Sequence, residues 1–246
     1  MDAPAYAPLV PTLFHGFVVL HIAFGSVGLL AFWIPVIGRK GGPNHRKWGR
    51  VFTATMLLTG TAALGISTAT LIDPVGTHPH LPDAEWVRGI FGWMMQGLAV
   101  LTINLAWYGW LCIRNQNDHA AQLVWHNVAL QVLLALASFN CAWQAARIGE
   151  PLMLGMPAIG LATVATNLWF MLRPARPLGW LKEHIKALVG AGISVYTAFF
   201  AFGAVRTVPA LALHPGLWAI PLAVGLGLII YHRALVDRQV RRRTAS

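Results

Sequence analysis

Residues 13–37 read LFHGFVVLHIAFGSVGLLAFWIPVI, and this stretch decides the fold. It contains no Asp, Glu, Lys or Arg. A helix needs about 20 mainly apolar residues to cross a bilayer, and this run exceeds that. Working outward, six further stretches of the same kind lie at roughly 48–72, 87–113, 123–147, 151–172, 181–208 and 217–231. Short connectors rich in Gly, Pro, Asn and charge separate them, and none is long enough for a second domain. A β-barrel reading fails, because the runs are too long and lack the period-2 alternation of membrane strands. The expectation is an all-α integral membrane protein, a single seven-transmembrane-helix bundle over residues 1–246 with a short basic C-terminal tail.

Composition agrees. Of 246 residues, 57% are hydrophobic and 11% charged, against about 25% charged in soluble domains. The mean hydropathy is +0.59. Too few charges are present to cover a water-soluble domain of this size, which excludes a soluble enzyme, a disordered chain and a disulfide scaffold. The 11 Trp suit membrane interfaces, where amphipathic rings settle. The start, Met1-Asp2-Ala3, lacks the positive region of a secretory signal, so the first apolar stretch reads as a retained helix.

The net charge of +10 is explained by topology rather than by nucleic acid. With the N-terminus outside and the C-terminus cytoplasmic, 15 of the 18 basic residues fall in or beside the inner connectors and tail. Only Arg88, Arg147 and Arg206 remain outside, as the positive-inside rule requires. The expected location is the bacterial cytoplasmic (inner) membrane. Cys112 and Cys141 fall at different depths and are expected to be reduced.

No Asp, Glu, Lys or Arg lies near the middle of any expected span. Ion-coupled carriers usually place a carboxylate there. A retinal protein needs a lysine in its last helix, and residues 217–231 have none. The buried polar groups are neutral. Most of them, such as Gln131, Ser138 and Asn167, read as interhelical hydrogen bonds. Gly190/Ser194 and Ala187/Ala191 are small-residue pairs spaced for helix contact.

The ten His form two layers: His45, His119, His126, His184 and His232 inside, and His15, His21, His78, His80 and His214 outside. His in a bilayer is costly and marks a functional site by default. His21 lies about 12 Å into the first helix at 1.5 Å per residue and shares a face with Gly25 and Gly28. His126 sits about one turn into the fourth helix, where Asn140 and Gln144 share its stripe. His184 opens the sixth helix, and His45 lies in the basic connector between the first two. Two arrangements follow. One is a bis-His haem b with ligands at matching depth, for which His126 and His184 are the candidates. The other is a three- or four-ligand divalent-metal site drawn from His45, His126, His184 and His232, with Glu183 the nearest acid. In either case His126 and His184 are expected to face one inner cavity with His45 near its mouth. The competing reading is that these imidazoles only snorkel to head groups or bridge helices. Arg46 and Arg50 are expected to contact anionic lipid head groups or another anion.

Two blocks carry a resemblance. Residues 20–67, LHIAFGSVGLLAFWIPVIGRKGGPNHRKWGRVFTATMLLTGTAALGIS, contain His21, Gly25 and Gly28 and then an HR-x-x-GR pattern formed by His45, Arg46, Gly49 and Arg50. Residues 180–199, WLKEHIKALVGAGISVYTAF, place His184 before a run of small residues. The chain resembles a bacterial family of predicted multi-helix membrane proteins catalogued as a domain of unknown function. The resemblance implies a multi-helix membrane fold and marks His21, His45, Arg50 and His184 for testing. Three function classes follow: a His-liganded redox or metal protein, a binding or transport protein for a neutral or anionic small molecule, and a subunit of a membrane complex without chemistry of its own.

Overall fold

The computed structural model describes residues 9–203 and 214–244. Met1–Ala3, Arg206 and the end of the sixth expected span (204–208) lie outside the described residues. Seven helices are long and apolar enough to cross a membrane: α1 (Leu9–Ile37), α2 (Pro43–Ile72), α3 (Ala84–Asn115), α4 (Trp125–Ile148), α5 (Pro151–Met171), α6 (Gly179–Ala201) and α7 (Gly216–Arg243). No strand occurs among the described residues. The chain is thus a multi-pass membrane helix bundle, and its outer surface fits that solvent. Leu30, Leu136, Phe139 and Ile230 are all exposed, which a hydrocarbon surround stabilises and water does not.

The helix boundaries differ from expectation in two places that matter. Helix α2 starts at Pro43 rather than at about residue 48, so His45, Arg46 and Lys47 belong to its first turns and not to a loop. The reason is Pro43 at the first helical position, where its fixed φ and missing N–H suit a helix start. Gly41, at φ +71°, makes the preceding turn. The last helix runs from Pro215 to Thr244, so the basic segment after Tyr231 is helical rather than a loose tail. An ion pair from Lys182 to Asp237 ties it to α6.

Helix α3 is the hub. It packs on α2, α4 and α6, and it is the most buried of the seven. Helices α1 and α2 form a close pair, and α7 packs on α6. Small residues set the closest approaches. A Cβ at Gly28 would meet Met56 Cε at 2.2 Å, and one at Gly109 would meet Leu188 Cδ2 at 2.7 Å and Ala187 Cβ at 3.1 Å. The expected small-residue contacts on α6 are formed against α3: Gly190 faces Leu105, and Ser194 hydrogen-bonds Thr102. Cys112 and Cys141 are buried free thiols, as expected.

Candidate functional site

A cavity lies where four helix ends meet: the C-terminal turn of α1, the N-terminal turns of α2 and α6, and the C-terminal half of α7. The C-terminal end of α3 completes its wall through Trp110 and Ile113. The cavity measures about 590 Å³. Its walls are apolar, with Phe32, Phe52, Trp110, Leu188 and Val189 among them. The polar groups on its lining are mainly basic or imidazole: Lys40, His45, Arg46, Arg50, His184 and His232. Among the described residues no acid lines it.

Local structure explains how two of the imidazoles are held. The last carbonyls of α1 have no partner in their own helix. Pro35 O therefore accepts from His45 Nδ1 at 3.1 Å and from Lys40 Nζ at 2.9 Å. Lys40 Nζ also donates to Val36 O. On the other wall, His184 is 8% exposed, and its Nδ1 donates to Gly109 O at 3.1 Å. That contact exists because residue 109 has no side chain to hold α6 away. A carbonyl only accepts, so both Nδ1 atoms carry hydrogen. In the neutral imidazole each Nε2 then keeps its lone pair. The two rings have centroids 6.5 Å apart at an interplanar angle of 60°.

His126 does not line this cavity, and the expectation that it would share one with His184 is corrected. Its ring packs edge-on against Trp107 and Trp125, with centroids 5.2 and 5.6 Å away. Helix α3 stands between α4 and α6. Trp107 turns toward α4 and Gly109 toward α6, two residues or about 200° apart around the helix. The stripe of α4 that is fully buried carries Asn127, Gln131, Ser138 and Cys141. His126, Asn140 and Gln144 lie on its half-buried flank. His21 is also elsewhere, with Nδ1 3.1 Å from Thr59 O on α2.

Glu183 is not placed as a ligand. Its carboxylate accepts from Tyr108 OH at 3.2 Å and pairs with Lys186 and with Arg233, at 3.5 Å for the latter. Among the described residues, no group of three or more His, Cys, Asp or Glu is arranged to hold a metal ion, so the expected three- or four-ligand site is not formed there. The neutral polar residues do bridge helices. Asn167 Nδ2 donates to Asn104 Oδ1 and Gln131 Oε1, both at 3.2 Å, and Lys186 Nζ donates to Asn167 Oδ1 at 3.0 Å. Sequence reasoning missed Gly109 and Tyr108. A glycine late in an otherwise bulky helix, residues 105–113, was the available signal for the first.

Arg46 and Arg50 stand one helical turn apart on α2 and both line the cavity. Neither guanidinium has an ion pair or hydrogen-bond partner among the described residues.

No family model matches the chain, and no curated protein or solved structure does.

Proposed function

We propose that the chain is a bacterial cytoplasmic-membrane protein, N-terminus outside and C-terminus cytoplasmic, that holds a haem b between His45 and His184 for one-electron transfer. The observation that carries this reading is the imidazole pair. Each Nδ1 is committed to a backbone carbonyl, the second contact that fixes the tautomer and aim of a metal-ligating His. Two nitrogens, each about 2 Å from one metal, put their ring centres about 6 Å apart, and the pair stands at 6.5 Å. Two protein ligands are too few for a bare zinc site but suffice for a macrocycle that brings four nitrogens of its own. The cavity volume of about 590 Å³ falls within the roughly 300–1,000 Å³ of cofactor sites, and its apolar walls suit a flat ring. An iron with both axial positions filled has no place for substrate, which leaves electron transfer as its chemistry. The orientation rests on the charge bias, and four of the basic-end segments meet at this cavity.

A second reading keeps the same cavity and fills it with an anionic amphiphile such as a phospholipid. It is favoured by the acid-free, cationic lining, since each Lys or Arg near an anionic head group contributes about 1 kcal/mol. One preparation separates the two. Protein purified from haem-sufficient cells should be coloured, with a Soret band that His45→Ala and His184→Ala each shift to a high-spin form or abolish. A colourless, folded protein that fails to take up added hemin would contradict the haem reading. A reporter fused after Ser246 should be active only in the cytoplasm.

A further inference from the structure

We propose that Arg46 and Arg50 form a carboxylate clamp that holds the two propionates of the haem, with the propionate edge at the cavity mouth. This rests on the haem reading and adds to it the orientation of the ligand. The two guanidiniums are four residues apart, so they project from one face of α2 as neighbours. Each is a fork matched to a carboxylate by two parallel N–H···O bonds. Both line the cavity, and neither is engaged by an acid or a carbonyl among the described residues. Lys40, the third cation of the lining, is otherwise occupied, because its ammonium caps the α1 carbonyls of Pro35 and Val36.

The stripe beside the two arginines holds His45, Gly49 and Thr53, all on the lining. Gly49 has nothing within 4 Å of where its Cβ would stand, so open space lies between the ligand His45 and Thr53. One short stretch of α2 thus presents an axial nitrogen and two cations at adjoining azimuths. The start of α2 adds to the field. Its cap position, Gly42, supplies no side chain to the first amides, and the positive end of the helix lies beside the lining residue Gly41. A dianionic edge is held here by charge from several directions, with no carboxylate on the lining among the described residues.

The test compares iron protoporphyrin IX with its dimethyl ester, which keeps the ring and the iron but has no carboxylate. Both are titrated into the full-length protein in detergent and followed by absorbance. The wild type should bind the diacid more tightly by roughly tenfold or more per carboxylate, the factor for a charge-assisted hydrogen bond. Arg46→Gln with Arg50→Gln should bind both porphyrins alike, with the bis-imidazole spectrum retained. Arg46→Lys with Arg50→Lys should recover part of the preference. Equal binding of diacid and diester by the wild type would overturn the clamp and leave the haem reading standing. So would a preference that survives the double Gln variant. If diacid and diester bind alike while phosphatidylglycerol raises the thermal midpoint of the wild type but not of the Gln variant, the guanidiniums belong to a lipid phosphate and the clamp is wrong. Failure of both porphyrins to bind would overturn the clamp and the haem reading together.

Discussion

Gly109 on α3 gives its carbonyl to the Nδ1–H of His184 on α6 at 3.1 Å, and the hydrogen that serves as its side chain is what lets the two helices lie that close. A methyl group there would stand 3.1 Å from Ala187 Cβ, an atom fixed to the backbone of α6. Gly109→Ala gains up to about 1 kcal/mol of helix propensity. Overpacking a tight interface costs about 1–3 kcal/mol. The clash should win. A lower thermal midpoint and weaker hemin binding are expected, because the shift of α6 moves His184. A variant that is more stable and binds hemin normally would contradict the described packing.

The Glu183 cluster should be structural. Glu183→Gln removes the carboxylate charge that pairs with Lys186 and Arg233, and unpairing a largely buried cation such as Lys186 costs about 3–5 kcal/mol. Tyr108→Phe removes one hydrogen bond to the same carboxylate and should cost about 1 kcal/mol. Denaturant unfolding in detergent should rank Glu183→Gln well below Tyr108→Phe. The reverse order would show that the ion cluster contributes little.

Much of the fold was legible in the sequence, because length and apolarity are one-dimensional signals and a bilayer sets thresholds for both. The ends were less so. Hydropathy stops at the membrane, whereas α7 continues past Tyr231 through residues that Lys182 and Asp237 tie to α6. Polar residues 43–47 hid the start of α2, although Pro43 announced it. His45 and His184 stand out in the sequence by type and depth, and both line the cavity. Their pairing was not legible, since it depends on which helices adjoin. His126 was placed on the wrong side for the same reason. Helix α4 carries two polar stripes, Asn127/Gln131/Ser138 and His126/Asn140/Gln144, and the position of α3 decides which of them is buried.

On the opposite end of the bundle, His78 should make stability depend on pH. Its ring packs on Phe91 at 4.6 Å and Phe14 at 5.4 Å, and its Nδ1 lies 3.1 Å from Thr77 Oγ1. Burial first, and then the neighbouring His80, lower its pKa from 6.5 to about 4. The folded state therefore prefers neutral His78. That stability is present above pH 6.5 and is lost as pH falls toward 4. The thermal midpoint should drop between pH 7 and pH 4.5, and His78→Phe, which keeps the ring contacts, should drop less. Equal losses in both proteins would remove His78 as the source.

The central claim is that His45 and His184, and not His126, are the axial ligands of one haem. Low-temperature EPR of the oxidised, purified protein tests it most directly, because it reads the spin state that the axial ligands impose. The account predicts a low-spin bis-imidazole signal in the wild type and in His126→Ala, and a high-spin signal or loss of haem in His45→Ala and His184→Ala. A low-spin signal that survives His184→Ala and disappears in His126→Ala, or a wild type without haem, would contradict it.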